Sequence, residues 1–350
     1  MWTRREWGQM CAGGLLGIAT RSAGAAPLVA PSRAVPTPRL VLAVVDKPAF
    51  CQLPLTIAER LGFFAAEGVA LEVMECADNG TALRAVKSGS AHLMAASYAM
   101  AVNQSARGSY FTSILLQGLA PQMVFGMSQR TMEGRHPLTD LRGRRIGVTA
   151  WGSASHRIAQ MALERASVRP NEVDFVPMAS PSAVLTAFRA GQLDALCYND
   201  PVITQLEQSG ELRVVVDTRT ARASAELFGG PLPTTCIAAP TAWVAARGDE
   251  CQAVANAMVR ALKWLQTAGP SDITKAVPES YFQGDRALYL AAFDRVREAW
   301  APDGVMPEAG PPTLLRWLAQ FEDAPSLPRT GLTGTYTNRF AAKAKARFRA

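Results

Sequence analysis

Apolar and polar positions along this chain switch repeatedly between two patterns. Short unbroken apolar runs, RLVLAVV at 39–45 the clearest, read as strands buried on both faces. Further runs at 69–74, 92–96, 146–149, 173–177, 194–198 and 212–216 read the same way. Between them lie helical stretches at 55–61, 81–88 and 182–190, closed by Gly62, Gly89 and Gly191 as left-handed caps. A turn over Trp151, Gly152, Ser153, Ala154 and Ser155 opens another helix, with Ile158, Ala162 and Ala166 on one face. Strands alternating with helices predict right-handed βαβ units and a parallel sheet. The runs at 235–238 and 242–246 carry the chain back toward its first half. Helices follow at 252–266, 286–300 and 313–321, and their apolar stripes read as core packing rather than partner-binding faces.

One joint occurs twice. AVKSGSA at 85–91 and AFRAGQL at 187–193 each place an apolar residue, a cation, a small residue and a capping glycine before a strand. The expectation is two lobes of similar build.

Residues 1–25 break this pattern. Arg4 and Arg5, the soft apolar stretch 10–19, Arg21 and the small residues at 23–26 follow the order of a secretory signal, with the paired arginines of the twin-arginine type. Cleavage after Ala25 predicts a free periplasmic protein of 325 residues, enough for two separate cores. The full chain holds 36 basic and 29 acidic residues. Three basic residues and one acidic lie in 1–25, and five basic with no acidic lie in 339–350, which leaves 28 of each between. The basic balance therefore belongs to the ends. It gives no basic face for nucleic acid, and the tail 339–350 reads as a solvated, frayed end. After the signal come Cys51, Cys76, Cys197, Cys236 and Cys251, an odd number with no metal-ligand spacing. Cys51 and Cys76 are the pair to check for a disulfide, and the others read as small buried hydrophobes.

Four segments in order, LPLTIAERLGFFAAEGVALEV, ALRAVKSGSAHLMAAS, LRGRRIGVTAWGSASHRIAQMALERA and AVLTAFRAGQLDALCYNDP, resemble the periplasmic binding proteins of nitrate, sulfonate and taurine type ABC transporters. The resemblance implies an α/β fold: the two-lobed periplasmic-binding-protein fold of type II, with two crossovers and a ligand cleft between the lobes. Residues 39–122 and 239–338 would form lobe 1 and 123–238 lobe 2, with crossovers near 120–127 and 233–239. It also implies a monomer that binds a small organic anion or zwitterion, needs no cofactor or metal, and delivers its ligand to an ABC permease.

Ligands of open parallel sheets lie beyond the carboxyl ends of the strands, against helix N-termini. Those positions are Asp46, Phe50 and Gln52 in the loop 46–52, then Ser97, Tyr98, Gln117, Trp151, Gly152, Ser153, Ser155, Asn199 and Asp200. Two hydroxyls and free backbone N–H groups at 152–155 suit an anion, and they equally suit an ordinary helix cap. Trp151 could cover a ligand or fill a gap near the hinge. Asp200 before Pro201 could cap a helix, Asn199 or Asp200 could equally read an amino group, and Asp46 with Asp200 pulls toward a zwitterion or an aminopyrimidine.

Catalysis finds little footing. His92, His136 and His156 are scattered, and no G-x-S-x-G or H-E-x-x-H motif occurs. The alternative is an enzyme on the same scaffold, related to thiamine-pyrimidine or menaquinone biosynthesis. The former family carries a CCCFC-type motif, where this chain has only Phe50 and Cys51. A sensor-coupled periplasmic domain is a third reading, disfavoured because no anchor or output segment is recognisable.

Overall fold

The computed structural model describes residues 38–134, 136–321, 332 and 334–350, all within one folded unit, Thr37–Ala350. The expected export signal lies outside the described residues. The first half of the unit runs β1 Arg39–Val45, α1 Leu53–Arg60, α2 Phe63–Ala66, β2 Ala70–Cys76, α3 Asn79–Ser88, β3 Leu93–Ser97, α4 Tyr98–Ala106 and β4 Phe111–Leu116. β5 Met123–Ser128, β6 Arg145–Val148, α5 Ala154–Arg165, β7 Asp174–Pro177, α6 Pro181–Arg189, β8 Ala195–Asn199, α7 Val202–Gln208, β9 Leu212–Asp217 and α8 Ala221–Phe228 follow. The chain ends with β10 Thr235–Pro240, α9 Thr241–Ala246, α10 Gly248–Thr267, α11 Pro270–Ala276, α12 Arg286–Val296, α13 Gly310–Leu318 and α14 Arg339–Phe348.

Two five-stranded sheets have the same plan. The first has order β2-β1-β3-β10-β4 and the second β7-β6-β8-β5-β9. In each, the first three strands are parallel, with Arg39 to Val45 matched one for one against Ala70 to Cys76 in the first. In each, the fourth strand is antiparallel to both neighbours. That fourth strand is always the one delivered from the other lobe, so the sheets are mixed rather than purely parallel. Gly89 and Gly191, at φ 81° and 72°, stand before β3 and β8, the middle strand of each sheet. The repeated joint is thus a repeated structural position.

The passages between sheets are short, 117–122 outward and 229–234 back. Residues 123–127 and 235–239, expected inside the crossovers, are strand instead, and 235–238 belong to the first sheet rather than to lobe 2. The two passages lie side by side. Gln117 and Gly118 donate N–H to Thr235 O at 2.7 and 3.1 Å, and Thr234 N–H returns to Gly118 O at 2.9 Å. A side chain at position 118 would run into Thr234 Oγ1, so this approach favours glycine.

Two expectations need correction, and the cysteine pair is resolved. Segment 242–246, paired with 235–238 as a return, is helix α9. The tail 339–350 is helix α14, docked rather than frayed: Phe340, Ala341 and Ala344 are buried against α10. Two of its cations are held by carboxylates, Arg347 by Glu67 at 2.6 Å and Lys345 by Asp303 at 2.7 Å. Cys51 and Cys76 are both free.

Candidate functional site

Two adjoining cavities open where the carboxyl ends of β1 and β3 face the start of α5. The inner one, about 310 Å³, touches lobe 1 at Val45, Gln52 and Ala96, both passages at Pro121 and Thr234, and lobe 2 at Met123 and Ala154. The outer one, about 440 Å³, shares Asn79, Ser97, Ala99, Ala154 and Trp317 with it and adds Asn103, Arg107 and Arg157. Asn79, Ala99 and Ala154, in the first turns of α3, α4 and α5, all border this space, so three helix N-termini bring unpaired backbone N–H groups and positive dipole ends together. No carboxylate lines either cavity among the described residues. The field there favours an anion.

Local chemistry fixes these helix starts. Asp78 accepts from Thr81 N–H at 2.7 Å, and Ser97 accepts from Ala99 N–H at 3.2 Å. Ser153 accepts from His156 N–H at 3.3 Å, after a left-handed Gly152 at φ 68°. These caps use only part of the exposed amide groups.

The expected site residues divide. Gln52 and Ser97 border the inner cavity; Ser97, Gly152 and Ser153 border the outer one. Gln117 is fully buried beside Gln52, with its Nε2 3.5 Å from Gln52 Oε1. Phe50 turns into the lobe 1 core, its ring 4.7 Å from that of Tyr289. Tyr98 is sealed, with its hydroxyl 2.7 Å from Thr335 Oγ1. Trp151 is 62% exposed, edge-on to His156 at 5.0 Å, and lines neither cavity. Asn199 ends β8 opposite Met123.

The serine pair points inward. Thr149 N–H donates to Ser155 Oγ at 2.9 Å, and the hydroxyls of Thr149, Ser153 and Ser155 lie 2.8–3.0 Å apart. Ser153 Oγ also donates to Ala150 O at 2.7 Å. These hydroxyls tie the end of β6 to α5, so the capping role is the one seen. Asp200 likewise turns away: its Oδ1 accepts from Thr204 N–H at 2.8 Å and Oγ1 at 2.7 Å, and Arg219 lies behind it.

Asp46 is exposed near the inner cavity, at φ 51°. Loss of hydration and then Glu75 raise its carboxyl above the usual range. Burial, with Asp46 adding to it, pushes the Cys51 thiol up to about 11, and Thr235 donates a hydrogen bond that opposes the shift. A neutral thiol therefore faces the cavity near pH 7. Burial and then Asp46 also push Tyr198, in lobe 2, up to about 12.

Arg107, Arg157, Asn79, Asn103, Leu314 and Trp317 were not anticipated. Asn103 and Arg107 belong to α4 and its C-cap, where no helix was expected, and Asn79 precedes the start at 81 expected for α3. Leu314 and Trp317 come from α13, whose apolar stripe carries no sign that it borders a cavity.

A family model described as NMT1/THI5 like matches residues 50–270. A protein of known structure from Bordetella bronchiseptica RB50 is 38% identical, with a TM-score of 0.78 over 89% of this chain and 98% of that one. The alkanesulfonate-binding protein SsuA from Xanthomonas axonopodis pv. citri, bound to MOPS, is 18% identical with a TM-score of 0.63, covering 85% and 98%. The periplasmic nitrate-binding protein NrtA from Synechocystis PCC 6803 is 13% identical with a TM-score of 0.63, covering 89% of each chain. No curated protein matches the sequence. This chain thus has the two-lobed periplasmic-binding-protein fold, and by the match over most of its length it belongs to the NMT1/THI5-like family.

Proposed function

We propose that this protein is the periplasmic substrate-binding component of an ABC importer and holds a small organic anion between its lobes. The observation that carries this reading is the convergence of three helix N-termini and two guanidinium groups on a cavity walled by both lobes, with no carboxylate among the described lining residues. Such a site stabilises negative charge without a catalytic group. Fold relatives named for alkanesulfonate and nitrate binding support the same reading.

An ammonium-bearing zwitterion fits less well, because Asp200 is engaged elsewhere and Asp46 borders neither cavity. Ligand touching both lobes would favour a closed form by population shift, and that form would dock on the permease. The protein would act as a monomer, without cofactor or nucleic acid. Export through the twin-arginine signal would deliver it to the periplasm. Normal periplasmic levels of an Arg4→Lys, Arg5→Lys double variant would remove the twin-arginine route.

The test is a thermal-shift panel of nitrate, taurine, alkanesulfonates and carboxylates. A true ligand at a hundred times its Kd stabilises by about 2.7 kcal/mol. Small-angle scattering with and without the best binder reads lobe closure. Failure of every anion to stabilise the protein, or steady turnover of one of them, would sink the reading.

A further inference from the structure

Helix α13 stands apart from the two-lobe plan. The chain reaches it from lobe 1 after Trp300, which bridges to Gly118, and returns to lobe 1 at Tyr336, which bridges to Ser113. Between those anchors α13 lies against lobe 2 and the return passage. A side chain at Gly310 would meet the Pro233 ring at 2.7 Å, and one at Gly230 would meet Thr313 Oγ1 at 2.6 Å. Arg316 Nη2 donates to Gly229 O at 3.3 Å, and the Trp317 ring stands edge-on to Phe228 at 5.3 Å. The helix is therefore wedged in place. Its other side, Leu314 and Trp317, lines the inner cavity, and Trp317 with Leu318 lines the outer one.

The two cavities differ in character. The two guanidinium groups, Arg107 and Arg157, and the Asn103 amide belong to the outer cavity alone, while the inner one adds the Gln52 amide, whose Oε1 lies 3.5 Å from Gln117 Nε2. Away from the shared residues, the inner one is bounded mainly by Val45, Ala95, Ala96, Pro121, Met123 and Leu314. The hydroxyls found there are already used: Thr234 Oγ1 donates to Ala120 O at 3.2 Å and Thr235 to Cys51. A charged group placed in that space would find little beyond the Gln52 amide to replace its lost hydration, whereas an apolar group would gain by leaving water.

We propose that α13 sets which anion the cleft accepts, with Leu314 and Trp317 as a size-limiting apolar wall, so that the ligand is an anionic head on an apolar body. This rests on the anion-binding reading above. The head lies among the helix ends of the outer cavity and the body fills the inner one. At about 310 Å³ the inner space is near the lower limit of small-molecule sites, roughly 300–1,000 Å³, and suits a body the size of a short alkyl chain or single ring. Leu314 and Trp317 are thereby specificity-determining residues contributed by a segment outside both sheets.

The test uses calorimetry with two homologous series, unbranched alkanesulfonates and unbranched carboxylates, from one carbon upward, with nitrate and hexylammonium as controls. Affinity should rise about fourfold per added methylene until the cavity is full, then fall. Hexylammonium should not bind. The series that binds more tightly at equal length identifies the head group. Leu314→Ala should move the optimum to a longer chain, and Ala99→Val, on a partly exposed helix start, should move it to a shorter one. A flat series, or nitrate binding as tightly as the longest member, overturns the apolar-body proposal while anion binding stands. An optimum that neither substitution moves overturns the role of α13. If no anion binds at all, the functional reading itself fails.

Discussion

Arg219 Nη1 lies 3.6 Å from Asp200 Oδ2, with 2% and 1% of the two side chains exposed. Arg219 also pairs with Glu207 at 2.6 Å and Asp217 at 2.6 Å, so three carboxylates from different parts of lobe 2 surround one guanidinium. Burial raises the Asp200 carboxyl, outweighing the opposing pull of Arg219 and Thr204. The residue that the sequence offered as a ligand contact therefore anchors α7 and β9.

Removing Arg219 should be costly and removing the Asp200 charge cheap. Arg219→Met leaves a buried carboxylate without its cation, a loss of about 3–5 kcal/mol in urea melts. Asp200→Asn keeps an oxygen for Thr204 and should cost under about 1.5 kcal/mol. The double variant should recover part of the Arg219→Met loss. Because the folded carboxyl titrates above its ordinary value, native protein binds the proton more tightly than unfolded chain does. That contribution is full below pH ~4 and is lost as pH rises through the raised value. Asp200→Asn should therefore gain on wild type over that rise, and no change in their difference with pH would contradict the shift.

Much of the architecture was legible because buried strands such as β1 and β6 are short apolar runs between glycine-capped helices. FTSILL in β4 and MVFGMS in β5 carry polar residues into fully buried strands, which hides them from a pattern search. In α14 the cations obscured a stripe at Phe340, Ala341 and Ala344 that faces α10. The site was legible in its strand ends and not in its walls. Ser97 ends β3, Gly152 and Ser153 lie in the turn between β6 and α5, and helix dipoles act there whatever the side chain. Trp317 borders the cavity only because its segment returns from the far end of the chain, a relation that no local spacing encodes.

The serine pair at α5 is expected to bear on stability more than on binding. Ser153→Ala removes a cap worth about 1 kcal/mol. Ser155→Ala strips the acceptor from the Thr149 N–H, a cost of about 1–3 kcal/mol because the serine is fully buried. Urea melts of ligand-free protein should show both losses, with affinity for the best anion changed less than threefold. A variant that folds normally and binds tenfold more weakly would restore the hydroxyls as ligand contacts.

Docking of α14 predicts a stability role for the basic C-terminal segment. Phe340 is 4% exposed and packs in the lobe 1 core, while its carbonyl accepts from Gln252 Nε2 at 3.0 Å. Phe340→Ala should cost about 3–5 kcal/mol by urea denaturation. A loss below 1 kcal/mol would return this segment to the status of a frayed tail.

Arg107 ends α4 and borders the outer cavity from lobe 1, exposed enough for its field to be screened by salt. If the anionic head lies among the three helix ends, the guanidinium contributes as a partly solvated charge, worth roughly 0.2–1 kcal/mol. Arg107→Gln should therefore weaken binding by about two- to fivefold at low ionic strength. The Debye length falls from about 10 Å at 0.1 M toward 3 Å at 1 M, so the difference from wild type should shrink as salt is added. Arg295, exposed on α12 and bordering neither cavity, provides the control: Arg295→Gln should leave affinity unchanged at every ionic strength. Calorimetry at two salt concentrations separates the cases. A salt-independent loss in Arg107→Gln would mean a direct, desolvated contact of greater weight. Equal behaviour of the two variants would remove Arg107 from the site and leave the helix ends and Arg157 to hold the charge.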